Sequence, residues 1–109
     1  EQGYHVVSRR GAGGYFQISV LRYGRLMTVS GATAAGTKIT SDPASGSTSQ
    51  LFYLTRRSGS SYTISPYGRP DLVLTRTSVK TYSNVEHYIV QLEAYTGAAS
   101  QYWQMAGVP

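Results

Sequence analysis

Strand-like apolar runs alternate along the chain with turns that are rich in Gly, Ser and Pro. Runs at 15–21, 26–29 and 50–54 mix aromatic, β-branched and aliphatic residues, and turn clusters such as Ser41-Asp42-Pro43 separate them. A patch at 85–92 is compatible with a helix, but its centre, Tyr88-Ile89-Val90, favours a strand. Short strands with turn signals at close intervals predict an all-β domain.

The order of these pieces recurs along the chain. Equivalent residues lie 46 positions apart early in each copy and 51 positions apart later, as one inserted stretch of five residues would produce. We expect that insertion in a surface loop at 75–84, where added length costs little. The first copy runs Phe16-x-Ile18, Gly24-Arg25, Leu26, Ile39, Gly46 and Gln50-Leu51-Phe52, and the second runs Tyr62-x-Ile64, Gly68-Arg69, Leu72, Val90, Gly97 and Gln101-Tyr102-Trp103.

A third copy of the closing Gln-x-aromatic triplet, Gln2-Gly3-Tyr4, stands at the start of the sequence. We therefore expect one domain, 1–109, with a repeat tail at 1–12 and repeats at 13–59 and 60–109. A four-strand unit cannot bury its apolar face alone, whereas three units around an axis can. The aromatic of each triplet is expected in the shared core, and its glutamine is expected to satisfy backbone groups of a loop.

The aromatic-x-Ile openings at Phe16 and Tyr62, the Gly-Arg segments at Gly24 and Gly68, and the three triplets resemble the ricin-B-like β-trefoil family, the R-type lectins. The resemblance covers essentially the whole sequence and implies a β-trefoil. The family has three full repeats, so the front part of one repeat is not in this sequence. We expect an additional chain, a fragment or an oligomer to complete the barrel, because an open sheet edge invites pairing.

The resemblance also implies that the usual galactose-type site of the family is not present in either full repeat. That site uses an Asp in the strand after the Gly turn, an aromatic platform, and an Asn just before the Gln of the triplet. The matching positions hold Thr28 and Leu74 for the Asp, Ser49 and Ser100 for the Asn, and a place near Thr40, and Gln91 or Glu93, for the platform.

Tyrosines in turn-like positions are the candidate ligand-binding residues. A tyrosine offers a flat apolar face for stacking and a hydroxyl for hydrogen bonding, and it loses little conformational entropy on binding. That chemistry suits a sugar ring or a protein partner. The candidates are Tyr23, Tyr67, Tyr82 and Tyr95, together with Gln91 and Glu93 at the platform positions.

The composition limits which kinds of functional site the chain can have. The chain has no cysteine, so disulfides and thiolate sites are excluded, and a secreted and a cytoplasmic location are equally compatible. His5 and His87 are too few for a metal site, and no two carboxylates have the spacing of an acid/base pair. We therefore expect no cofactor, no metal and no catalysis. No apolar stretch approaches the ~20 residues that span a bilayer.

The net charge of +5 comes from dispersed basic residues, which favours solvated loop charges over a nucleic-acid site. Two functions stay open. The first is a non-catalytic, lectin-like carbohydrate-binding module. The alternative is a protein-binding β-trefoil, either a protease inhibitor or an accessory subunit of a larger enzyme. The chain is similar to mushroom β-trefoil protease inhibitors at 50–64, and candidate insertion loops lie at 56–61 and 76–84.

Overall fold

The computed structural model describes the backbone of residues 4–10, 15–20, 25–82 and 85–105, and the side chains of 15–19, 25–77 and 89–105. These residues form nine strands and two short 3₁₀ helices, Thr48–Gln50 and Ala99–Gln101. The strands are β1 Tyr4–Arg10, β2 Phe16–Val20, β3 Arg25–Val29, β4 Ile39–Pro43, β5 Phe52–Ser58, β6 Ser61–Pro66, β7 Leu72–Tyr82, β8 Val85–Ala94 and β9 Trp103–Gln104.

The all-β prediction is confirmed, and the patch at 85–92 belongs to strand β8. β-Branched and aromatic residues such as Tyr88-Ile89-Val90 pack well on a pleated surface, which explains the preference for a strand. Within the described residues, no helix is long and apolar enough to cross a membrane.

Five strands form a row of antiparallel neighbours in the order β1, β2, β5, β6, β9. The register of this row repeats the pattern seen in the sequence, because Phe16 pairs with Phe52 and Tyr62 pairs with Trp103. In both cases the aromatic of a closing triplet lies opposite the aromatic that opens an aromatic-x-Ile segment. The hairpin β3–β4 joins this sheet through β2, and β7–β8 forms a separate two-stranded sheet.

The hydrophobic core lies where the row of strands and the two hairpins meet. Ile18 and Phe52 come from the row, Met27 from β3, and Leu74 and Leu92 from the second hairpin, and each of them is 2% exposed or less. Trp103 is also buried, and its indole Nε1 donates to the main-chain oxygen of Leu74 at 3.2 Å. The one polar atom of this large ring is therefore satisfied inside the core.

The expected insertion loop at 75–84 is wrong, and so is the candidate loop at 76–84. Strand β7 continues to Tyr82, and its ladder with β8 reaches the pair Tyr82↔Val85. Thr75, Thr77 and Thr81 are β-branched, so the added residues extend the ladder instead of forming a loop. The candidate loop at 56–61 is a tight hairpin turn, since β5 ends at Ser58 and β6 begins at Ser61.

Gln50 connects three parts of the first repeat through one buried side chain, which is 1% exposed. Its Nε2 donates to the main-chain oxygen of Pro43 at 2.9 Å and to Oγ1 of Thr28 at 3.1 Å. Its Oε1 accepts from the main-chain nitrogen of Ser45 at 2.9 Å. We call this arrangement a glutamine hub, because it joins β3, the end of β4 and the loop that follows β4.

Gln101 forms the same hub in the second repeat, and it is 2% exposed. Its Nε2 donates to the main-chain oxygen of Ala94 at 2.9 Å and to Oγ1 of Thr75 at 3.2 Å. Its Oε1 accepts from the main-chain nitrogens of Thr96 at 2.8 Å and Gly97 at 3.2 Å. Gly97 has a φ of +84°, a left-handed conformation that glycine adopts without strain.

The hubs refine the alignment of the two repeats. Thr28 donates to the main-chain oxygen of Leu26 at 3.1 Å, and Thr75 donates to that of Val73 at 3.2 Å. The equivalent of Thr28 is therefore Thr75, at an offset of 47, and not Leu74, at an offset of 46. The alignment of β3 with β7 therefore differs by one residue from the alignment that spacing alone predicts.

We predict that Gln101→Leu lowers the free energy of unfolding by about 3 kcal/mol, because three main-chain groups, the oxygen of Ala94 and the nitrogens of Thr96 and Gly97, lose their buried partner. Urea unfolding of the whole chain measures this. The matched control is Gln104→Leu, since Gln104 is exposed and, among the described residues, its side chain accepts one hydrogen bond, from Oγ of Ser60 at 2.7 Å. Its expected loss is below about 1 kcal/mol. Equal losses from both variants would contradict the role of the hub.

Candidate functional site

Three large hydrophobic side chains stand out as exposed among the described residues. Tyr53 is 45% exposed, Tyr67 43% and Tyr95 41%. Each of them belongs to a cluster with other side chains, which are aromatic around Tyr53 and Tyr67 and both aromatic and basic around Tyr95. We call Tyr15, Tyr53 and Tyr67 the tyrosine patch, and we call Arg57, Tyr95 and Tyr102 the arginine–tyrosine cluster.

The strand register assembles the tyrosine patch. Tyr53 follows the buried Phe52, so strand alternation turns its ring outward. Tyr15 directly precedes β2, and the pairing of Phe16 with Phe52 brings it beside Tyr53. Tyr67 lies in the turn after β6, where its main-chain nitrogen donates to the main-chain oxygen of Leu51 at 3.1 Å.

The ring of Tyr15 lies between the other two rings of the patch in the sense that it contacts both of them. The ring centroid of Tyr15 lies 4.7 Å from that of Tyr67, with the planes tilted by 51°. It lies 6.1 Å from that of Tyr53 in an edge-on arrangement at 64°. Within the described part of the chain, none of the three hydroxyls has a hydrogen-bond partner. The patch therefore offers aromatic faces together with unused polar groups.

The arginine–tyrosine cluster is held more tightly. The guanidinium carbon of Arg57 lies 4.4 Å from the ring centroid of Tyr95. The Nε of Arg57 donates to Oγ1 of Thr63, a fully buried residue, at 3.0 Å. The hydroxyls of Tyr95 and Tyr102 are 2.8 Å apart, and their rings meet edge-on at 87° with centroids 6.4 Å apart.

A second arginine fixes the backbone on which Tyr102 sits. Arg76 donates from Nη1 to the main-chain oxygen of Tyr102 and from Nη2 to that of Ala99, both at 2.8 Å. Its guanidinium carbon also lies 4.8 Å from the centroid of the Trp103 ring. Strand β7 is thereby tied to the 3₁₀ helix and to the start of β9.

Gln91 and Glu93 form a third group on β8. The Nε2 of Gln91 donates to Oε2 of Glu93. At the equivalent positions of β4 in the first repeat, Oγ1 of Thr40 donates to Oδ2 of Asp42 at 2.8 Å. In the described structure the candidate residues therefore fall into separate groups, with Gln91 and Glu93 together and Tyr67 and Tyr95 in different clusters.

Several predicted residues lie wholly or partly outside the described residues. Tyr23 and Gln2 lie outside them, and for Tyr82 and Tyr4 only the strand backbone is described. Sequence reasoning missed four residues of the two clusters, namely Tyr15, Tyr53, Arg57 and Tyr102. For two of them a signal was available: Tyr53 follows the buried Phe52 of a triplet and Tyr102 precedes the buried Trp103, so strand alternation points both side chains outward.

The repeated hubs and paired triplets define an all-β domain of recurring hairpin units. A family model described as ricin-type β-trefoil lectin domain-like matches residues 1–88. The chain belongs to this family, as the resemblance implied, and its fold is a β-trefoil.

A solved structure supports the same fold. The chain is similar to the designed threefold-symmetric protein ThreeFoil, with a TM-score of 0.71 and 20% identity. The similarity covers 93% of this chain and 69% of ThreeFoil, and at this identity it speaks for the fold alone. No curated protein matches significantly.

The hydrogen bond between the hydroxyls of Tyr95 and Tyr102 in the arginine–tyrosine cluster can be tested by titration. The hydrogen bond with Tyr95 raises the pKa of Tyr102 above the ordinary 10.0, because it favours the neutral hydroxyl. A raised pKa in the folded state means that the stabilisation is fully present below the ordinary pKa and is lost as the pH rises through the raised pKa of the folded state. We predict that Tyr95→Phe lowers the pKa of Tyr102.

The measurement is the phenolate absorbance of the chain as a function of pH, taken as the difference between each protein and its Tyr102→Phe counterpart. Tyr53→Phe is the control, and it is expected to leave the pKa of Tyr102 unchanged. An identical Tyr102 titration with and without the Tyr95 hydroxyl would show that the two groups do not interact.

Proposed function

We propose that the chain is a non-catalytic carbohydrate-binding module and that the tyrosine patch of Tyr15, Tyr53 and Tyr67 holds the sugar. The observation that carries this proposal is the contact of three exposed or half-exposed rings whose hydroxyls lack partners within the described residues. Membership of a lectin-like family supports a binding role, and the chemistry at the patch supports a polyol ligand.

A sugar ring has an apolar face of C–H groups and a rim of hydroxyls. Aromatic faces can cover the first, and tyrosine hydroxyls can donate to or accept from the second. Because the rings of Tyr15 and Tyr67 already contact each other, little side-chain entropy remains to be lost on binding. The patch is therefore better prepared for a ligand than three separate surface tyrosines would be.

The hubs support a location away from the family's usual site. Thr28, which stands where that site has its Asp, accepts from Gln50 and donates to the main chain. Its hydroxyl is thus engaged in holding the hairpin. A ligand that needs an aromatic surface finds it at the patch.

A protein ligand is the alternative, as a protease inhibitor or an accessory subunit would require. Tyrosine-rich surfaces serve protein recognition as well. The unpartnered hydroxyls favour the glycan, since a polyol offers a hydrogen-bond partner to each of them. A glycan array decides between the two readings, and inhibition assays against cysteine and serine proteases test the alternative directly.

An additional chain, fragment or oligomer that completes the barrel also remains a proposal. Within the described residues, β1 pairs only with β2 and β9 pairs only with β6, so both are end strands of the row. End strands present backbone groups to which another strand can pair. Native mass spectrometry tests this, and a single unassociated chain of the printed length would count against it.

We predict that Tyr53→Ala weakens binding of the best array glycan about tenfold, the equivalent of about 1.4 kcal/mol of stacking. Tyr53→Phe should lose less, because it keeps the ring and removes only the hydroxyl. Isothermal titration calorimetry gives both values. Lys38→Ala, at an exposed position outside the patch, is the control and should leave affinity unchanged.

Unchanged affinity in Tyr53→Ala, Tyr15→Ala and Tyr67→Ala would remove the patch from the binding site. Silence across the array, with tight capture of a protease, would replace the glycan with the protein ligand.

A further inference from the structure

We infer that the arginine–tyrosine cluster of Arg57, Tyr95 and Tyr102 is an anion subsite for an acidic sugar residue, one that carries a carboxylate or a sulfate. This inference rests on the proposed function, because it adds a charge-reading position to a glycan site. It concerns residues that the lectin resemblance does not assign.

The first argument is that Arg57 is fixed in place. An exposed arginine normally samples many rotamers, and ordering it on binding costs free energy. Here the Nε bond to the buried Thr63 and the contact with the Tyr95 ring, 4.4 Å from its centroid, hold the guanidinium from two sides. Its orientation is set before any ligand arrives.

The second argument is that the outer edge of this guanidinium is unused. Among the described residues, Arg57 spends Nε on Thr63, and neither Nη1 nor Nη2 has a hydrogen-bond partner. The salt bridge within this part of the structure joins Arg69 to Asp71, so none of the described carboxylates neutralises Arg57. A planar fork of free donors matches the two oxygens of a carboxylate or sulfate.

The third argument is the pair of hydroxyls beside the arginine. Tyr95 and Tyr102 share one hydrogen bond of 2.8 Å, which leaves one hydroxyl proton and several lone pairs for a ligand. Gly97 lies next to this pair, and a Cβ there would come within 3.9 Å of both hydroxyl oxygens. The absence of a side chain at Gly97 keeps the approach to them open.

The fourth argument connects the subsite with the tyrosine patch. Alternation along β5 places Tyr53 and Thr55 on one face. Arg57 reaches that same face, because its partner Thr63 lies opposite Thr55 in the ladder. Tyr53 and Arg57 are four residues apart on the strand, which corresponds to about 13 Å of strand rise. A short oligosaccharide laid along β5 could stack on the patch and present an acidic group to Arg57.

Charge outside the cluster agrees with an acidic ligand. The chain carries ten basic and five acidic residues. In the described side chains, Asp42 accepts from Thr40, Glu93 accepts from Gln91 and Asp71 binds Arg69, so each carboxylate already has a local partner. A basic surface raises the local concentration of an anionic glycan, and the fork of Arg57 then selects its geometry.

The experiment compares matched oligosaccharides by calorimetry. The first pair is a tetramer of galacturonic acid and its methyl ester, in which a small methyl group replaces the charge of each carboxylate. The second pair is a sulfated galactan tetramer and its desulfated form, and it separates a carboxylate from a sulfate as the preferred anion. We expect at least one acidic form to bind about tenfold more tightly than its neutral counterpart.

The variants are Arg57→Gln, Arg57→Lys and the matched control Arg56→Gln. Arg56 is adjacent and exposed, and its Nε donates to the main-chain oxygen of Gly59 at 2.7 Å. Replacing Arg56 with glutamine changes the net charge of the chain by the same amount as replacing Arg57. We expect Arg57→Gln to lower the affinity for the acidic form to that of the neutral form. Arg57→Lys should give an intermediate affinity, since it keeps the charge without the fork. Arg56→Gln should keep the preference.

Equal binding of acidic and neutral forms by the unaltered chain would overturn the subsite, whatever the variants do. Equal losses in Arg56→Gln and Arg57→Gln would also overturn it, because net charge alone would then explain the preference. Acid-selective binding that needs Arg57 but not Tyr53 would uphold the subsite and refute the tyrosine patch. Binding of neutral glycans alone, dependent on Tyr53, would refute the subsite and leave the proposed function standing.

Discussion

Two buried glutamine side chains, Gln50 and Gln101, each join a β-hairpin to the loop that returns the chain to the barrel strands. Each amide uses its donors and its acceptor on partners that come from different segments. A buried amide that lost these partners would be costly, so the hairpin, the loop and the 3₁₀ helix must take one relative arrangement. The positions of the neighbouring aromatics, Phe52 and Trp103, in the core are thereby fixed as well.

Much of this fold could be predicted from sequence, because the hub needs the same residue types in each repeat. The triplets, the glycines and the aromatic-x-Ile openings occur at regular distances for that reason. The register of β7 could not be read in the same way. An apolar residue at either 72 or 73 fits the pattern, and only the hydrogen bond between Gln101 and Thr75 decides between them. The long hairpin escaped prediction because polar threonines also suit an exposed ladder.

The candidate site was less accessible to sequence reasoning than the fold. Tyr67 and Tyr95 were expected at the surface from their turns, and Tyr53 and Tyr102 could have been found by alternation from the buried triplet aromatics. Arg57 could not have been found, since its order comes from Tyr95, far along the chain, and from a threonine across the hairpin. The contacts of Tyr15 with Tyr67 and of Arg57 with Tyr95 join residues of different repeats, and the order of residues within one repeat does not predict these contacts.

The hubs also explain how the hairpins of two repeats in one domain can have strands of such different length. In the first repeat the hairpin strands have five residues each, whereas in the second they have eleven and ten. Both hubs form their hydrogen bonds near the base of their hairpin. Residues beyond Arg76 therefore lengthen the ladder of β7 and β8 without changing the geometry of the core. The outer hairpin is thus a region where the sequence can diversify while the fold stays constant, and in this domain new surfaces can arise there at little cost to folding.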